Sequence, residues 1–248
     1  MSDRTYLSRY ISGERQQVWD ELIALGVRVR DASIYPDALA VARETMVRAR
    51  ENIQRLHLRL VDLGFEFADP GNAYVPAKSD AAQRVKNIER ALGTLPISAY
   101  AWFETFESVQ FVQSARQLKD QNSDVGGLGC NPSLIVESLE KCMEQSKQYQ
   151  KQNVEQQVFL PAGCIATNND CKGFYLPNAC ADGVFYNEGA GDRYFVDELR
   201  WCLKWGGMPF SRLWMANGSL EKKRSLPFAA RPNVENIFPA LVVDMLDI

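Results

Sequence analysis

From the N-terminus to Phe106, apolar residues recur every three or four positions; beyond Phe106 short alternating runs take over. That change of period predicts a helical half followed by a half made mostly of strands. Ser12 is placed to cap a first helix ending at Leu25 before Gly26, with Val18, Trp19, Leu22 and Ile23 on its apolar face. Arg15 stands where a capping box would need Glu or Gln. The strongest periodic signal lies between Pro36 and Gly64. Leu39, Ala42, Met46, Ala49, Ile53, Leu56, Leu60 and Leu63 form one seam, predicting a long helix. Its other surface carries Arg43, Glu44, Arg48, Arg50, Glu51, Arg55 and Arg59. Glu44–Arg48 and Glu51–Arg55 are i,i+4 pairs in the favourable order. The interleaved acids make this an ion-paired, solvated face rather than a nucleic-acid stripe.

Ser79 or Asp80 is placed to cap a third helix with Ala81, Val85, Ile88 and Leu92 facing the core. Gly93 suits the end of that helix and Pro96 the first turn of the next, where Tyr100, Phe103 and Phe106 fall at helical spacing. Val109–Val112, Ser133–Leu139, Val158–Leu160, Lys172–Leu176 and Val184–Tyr186 read as strands. Asp120–Gly129 reads as a polar connection, since it lacks the spacing of a P-loop or a dinucleotide fingerprint. Lys141–Gln157, rich in Gln and Lys, is either an exposed helix or a mobile insertion. Asn168–Asp170 is a turn. A last helix starts near Asp192, turns Phe195, Leu199, Cys202 and Leu203 inward, and stops at Gly206–Pro209. Leu241–Val243 makes the tail apolar enough to dock. The predicted class is α+β in a single domain. Residues 1–78 form a helical extension with one long helix, and 79–248 a core whose mixed, mainly antiparallel sheet is flanked by helices, with a polar insertion near 119–157.

Composition narrows the function classes. An apolar content of 46% with 24% charged residues is that of a globular chain, and 248 residues suffice for a sizeable core. A formal charge of -3 supplies no basic field for nucleic acid. Met1–Ser8 lacks the apolar region of a secretory signal, and no apolar run approaches the roughly 18 residues of a membrane span. These readings predict a cytoplasmic protein with no membrane partner, whose cysteines stay reduced.

Candidate chemistry is sparse. The sole histidine, His57, lies inside the long helix with no Ser/His/Asp arrangement around it. Cys164, Cys171, Cys180 and Cys202 lack the Cys-x-x-Cys pairs that usually bring thiolates to zinc, so neither a metal nor a cofactor is expected. Asp197 and Glu198, adjacent on a helix, point in different directions and make no glycosidase pair. Asp182, Glu188 and Asp192 surround a strand end, either as an acidic binding rim or as a solvated loop. Trp201 and Trp205 form an i,i+4 aromatic pair.

Leu95-Pro96-Ile97-Ser98-Ala99-Tyr100-Ala101-Trp102-Phe103, followed by a strand, resembles the Leu-Pro…Tyr…Phe opening of the SUKH superfamily, which groups bacterial toxin-immunity proteins with fungal cell-wall-synthesis regulators. Gly173-Phe174-Tyr175 and the segment from Tyr194 to Pro209 extend the resemblance, which looks like that to a bacterial branch carrying the long helix in front of the common core. Glu107-Ser108 departs from the Asn-Gly or Gly-Gly that many members place after the aromatic helix, and the Gln-rich insertion departs as well. The resemblance implies a non-catalytic role: an immunity or adaptor protein that neutralises a toxin by covering it. The acidic balance suits a basic partner such as a nuclease toxin. Tyr175, Asp182, Tyr186, Glu188, Asp192, Trp201 and Trp205 are the candidate protein-binding residues. Two other classes stay open. One is an enzyme with a cryptic Cys/His or carboxylate site; the other is an oligomeric scaffold, such as a homodimer, paired through the long-helix seam.

Overall fold

The computed structural model describes residues 4–119, 134–152, 158–164, 171–187, 193–207 and 239–248. The predicted first helix is present as α2 (Arg15–Ala24), with Val18, Trp19 and Leu22 buried, and an unpredicted short helix, α1 (Tyr6–Ile11), precedes it. Thr5 is the residue that caps, its hydroxyl accepting from the Ser8 N–H at 3.1 Å, while Ser12 ends α1 rather than starting a helix. Gly13, at φ +111°, turns the chain between them, a conformation that costs glycine little. Gly26, at φ +56°, follows the C-cap Leu25 and ends α2 as predicted, and a 3-10 turn, Gly26–Arg30, begins there.

The long helix α3 spans Tyr35–Asp62, with Pro36 in its first turn. Ala42, Met46, Ala49, Ile53, Leu56 and Leu60 of the seam are fully buried, Leu39 is half-buried, and Leu63, the C-cap of the helix, is exposed. Ala38, Val41, Thr45 and Asn52 are buried as well, so the covered face is broader than one seam. The chain itself covers it, chiefly through α5 (Ile97–Thr105). A second copy pairing through this seam would have to displace α5.

The arginine face is only partly free. Arg48 meets Glu44 at 2.8 Å and Arg43 meets Glu104 of α5 at 2.8 Å. Arg59 Nη1 donates to the carbonyls of Leu241 and Val243 at 2.8 and 2.6 Å, and Arg55 donates to the Asp244 carbonyl. Asn52, buried within α3, holds both backbone groups of Leu246 at 2.7 Å. The tail docks, as its apolar residues predict, with Leu241 and Ile248 buried. What holds it in register is polar recognition of its backbone.

Beyond α3 the order is β1 (Tyr74–Pro76), α4 (Ala81–Leu92), α5, β2 (Phe106–Gln110), α6 (Ala115–Lys119), β3 (Ile135–Val136), α7 (Leu139–Gln152), β4 (Val158–Cys164), β5 (Cys171–Leu176), β6 (Val184–Asn187), β7 (Arg193–Tyr194) and α8 (Phe195–Lys204). The class is α+β with one long N-terminal helix, as predicted. Among the described residues the strands make two antiparallel sheets, ordered β1-β2-β3 and β4-β5-β6-β7. Helix α5 is buried on every side from Ile97 to Phe103, so its aromatics form no mere edge, and Phe106 starts β2 instead of closing the helix. Pro96 precedes α5 as its N-cap rather than lying in its first turn. Among the described residues of the predicted Ser133–Leu139 strand, Ile135–Val136 pair and Leu139 opens α7, and the described part of the Gln-rich stretch, through Gln152, is helical. Strands β1 and β7 and helix α6 were too short to show in the periodicity. The predicted polar connection Asp120–Gly129, the predicted turn Asn168–Asp170, and Met208–Pro209 lie outside the described residues. No helix among the described residues is long and apolar enough to cross a membrane.

Gly173 fixes the register of β4 against β5. A Cβ there would run into the Leu160 carbonyl group, 2.9 Å from its carbon, and stand 2.8 Å from the Phe159 ring. Backbone on a paired strand cannot step aside. Gly173→Ala is therefore expected to lower stability by about 2–3 kcal/mol, the range of overpacking with a backbone shift. Urea denaturation followed by circular dichroism measures it; an unchanged midpoint would contradict this account.

Candidate functional site

Helix α8 sorts its side chains by helical period. Phe195, Leu199, Cys202 and Leu203 are buried, as the sequence predicts, and Val196 is buried with them. Phe195 packs at ring-centroid distances of 5.5 Å on Trp102, 5.3 Å on Phe174 and 5.3 Å on Phe185. Glu198 is buried too, where it accepts from Lys172 Nζ of β5 at 2.5 Å and from Arg193 Nη1 at 3.2 Å. Asp197 lies on the other side and pairs with Arg200 at 3.0 Å. The two adjacent acids thus serve different faces, as expected.

The outer face of α8 borders an open cavity of about 600 Å³ lined by Arg193, Tyr194, Asp197, Arg200, Trp201 and Lys204. The Arg193 guanidinium stacks over the Trp201 ring at 4.9 Å. Trp201 meets Trp205 edge to face at 5.4 Å, and Lys204 Nζ lies 5.8 Å from the Trp205 ring. Trp201 and Trp205 are half-buried and Tyr194 is exposed. Rings held by neighbouring rings and cations lose little further freedom when a partner covers them. Arg200 is tied from beneath: Nε donates to the Ile248 carbonyl at 2.7 Å and Nη1 to Gln16 Oε1 at 2.6 Å.

Of the seven predicted binding residues, the structure brings Trp201 and Trp205 together. Tyr175 is half-buried on β5, where it packs against Phe159 at 5.1 Å. In β5 it alternates with Phe174 and Leu176, whose shared face receives α8, so Tyr175 belongs to the opposite face of that sheet. Tyr186 sits on β6 opposite Gly173. Glu188 and Asp192 lie outside the described residues.

Asp182 is a correction: at 2% exposure it belongs to no surface rim. Its carboxylate accepts from Ser98 Oγ at 2.5 Å, from the Gly183 N–H at 2.9 Å and from the Val196 N–H at 2.9 Å. It caps the first turn of α8 from a distance and ties that turn to α5. Burial pushes its carboxyl up to about 7, against the pull of those donors. Arg193, Tyr194, Arg200 and Lys204 were not singled out from the sequence. The signal was there, because Arg193, Asp197, Arg200 and Lys204 recur at steps of four, three and four along the polar side of a recognised helix.

The other candidate chemistries stand elsewhere. His57 stacks on Phe67 at 5.1 Å and faces Phe111 at 6.4 Å, and burial lowers its imidazole below the usual value. Cys202 is buried, its thiol pushed up to about 12 by burial and the nearby Glu198, which suppresses the thiolate a nucleophile needs. Cys142 is buried and shifted upward for the same reason, while Cys180 is half-buried in the turn before Asp182. Among the described residues no group of three His, Cys, Asp or Glu gathers to hold a metal ion. Comparison of the chain with family models, with curated proteins and with solved structures finds no match in any of the three.

Proposed function

We propose that this protein is a non-catalytic protein-binding module that docks its partner on the outer face of α8. The observation that carries this reading is the association of Trp201, Tyr194 and Arg193 around one open cavity, with Trp205 braced against Trp201 beside it. Trp, Tyr and Arg are the side chains that concentrate binding energy at protein interfaces, most of all where they are braced beforehand. The SUKH resemblance of Leu95–Phe103 and Tyr194–Pro209 supplies the class of partner. On that reading the protein is an immunity or adaptor protein that neutralises a toxin by covering it.

The test is capture of the toxin domain encoded beside this chain, together with survival of cells expressing that toxin. Wild type is expected to bind and protect. Trp201→Ala is expected to weaken binding by about tenfold or more, the effect of losing a hot-spot tryptophan, with little change in thermal midpoint. Binding retained in full by folded Trp201→Ala would remove α8 as the docking surface.

A further inference from the structure

The chemistry of the partner is legible in the charges that α8 presents. The chain as a whole is acidic, at -3, which points toward a basic partner. The α8 surface has the opposite sign. Among the described residues lining the cavity, Arg193, Arg200 and Lys204 are cations, against one carboxylate, that of Asp197. These cations are not equivalent. Arg200 is engaged with Asp197, Gln16 and the Ile248 carbonyl. Arg193 gives Nη1 to Glu198 and lies over Trp201 with its Cζ 4.9 Å from the ring centroid, and its guanidinium carries further donors beyond that one bond. Lys204 is exposed and meets no carboxylate among the described residues. Exposed Tyr194 and half-buried Trp201 supply the apolar floor beside them.

We infer that the α8 surface takes an acidic peptide segment of its partner, with carboxylates meeting Arg193 and Lys204 and one apolar side chain resting on Trp201. The inference builds on the docking role proposed above and replaces the basic partner that net charge alone suggests. A nucleic-acid strand is the less favoured occupant. Two of the three cations are already paired with Asp197 and Glu198, whereas a phosphate backbone calls for a run of uncommitted basic groups. A short acidic peptide needs only Lys204 and the donors that Arg193 does not give to Glu198.

The experiment titrates the full chain with a short glutamate-rich peptide carrying one central leucine, its lysine counterpart, and an oligothymidylate. Indole and α8 amide resonances are followed at low and high salt. The glutamate peptide is expected to shift the Trp201 and Trp205 indole signals, with affinity falling as salt rises. Lys204→Glu, a change at an exposed residue, is expected to weaken it by about tenfold. No shift with the glutamate peptide, equal shifts with the lysine peptide, or tighter binding of the oligothymidylate would each overturn the inference. The captured toxin separates the two proposals. If Trp201→Ala leaves capture intact, the docking role itself fails. If Trp201→Ala abolishes capture while Lys204→Glu preserves or strengthens it, only the acidic assignment fails.

Discussion

Trp102→Ala is expected to destabilise the protein by about 3–5 kcal/mol, the cost of emptying a buried tryptophan site. Trp102 is fully buried at the point where three elements meet. It projects from α5, stacks on Phe106 of β2 at 4.1 Å and 25°, and meets Phe195 of α8 edge to face at 5.5 Å and 81°. Through Phe195 it touches the cluster that also holds Phe174 and Phe185. Alanine would leave a cavity that a helix buried on every side cannot collapse to fill. For a chain of this length the thermal midpoint should fall by roughly 10 °C. Trp102→Phe is the informative companion. It keeps a ring for Phe106 and Phe195, and the indole N–H it deletes has no acceptor among the described residues. Its loss should be less than half as large. Equal losses for the two variants would show that ring packing is not what Trp102 contributes.

The second large effect is a dependence on pH. Buried Asp182 carries a carboxyl pushed up to about 7 from an ordinary value of 3.8. Between those values the folded chain binds a proton that the unfolded chain has released. Stability from this group is therefore full below about pH 4 and is lost as pH rises toward 7. The span corresponds to roughly 4 kcal/mol. Other carboxylates titrate over the same range, so the difference between wild type and Asp182→Asn is the quantity to measure. The asparagine carbonyl can still accept from Ser98 and Gly183, but its amide donors face the Val196 N–H. Urea midpoints are expected to favour wild type most at pH 4 and to converge toward pH 8. A wild-type advantage that grows with pH across this range would show that the three donors outweigh burial.

That carboxylate also marks how far the sequence could be read. Asp182 lies in a Gly/Pro/Asn-containing turn, where an aspartate is normally solvated. Its burial depends on Ser98, 84 residues away, and on the N-terminus of a helix that begins thirteen positions later. No local pattern contains that information. Likewise Phe106 continued the aromatic spacing of α5, and only the pairing of Pro76 with Phe106 draws it into β2. The α8 surface was half legible. Its tryptophans stand out as rare residues at i,i+4, while its cations, at similar helical spacing, carry no mark that separates them from ordinary surface charge.

What the sequence determined by itself is the set of helices with sustained period: α3 from Pro36, α4 from Ala81 to Gly93, and the inward row of α8. Each declares its buried face locally, because side chains three and four apart share a side of the helix whatever it later packs on. Tertiary structure alone decided that α5 covers the α3 seam, that Asn52 holds Leu246 from 194 positions away, and that Asp182 is sealed beneath α8. Those are choices of partner. A partner is set by which surfaces exclude water together once the chain has closed, and this depends on segments that no single stretch contains.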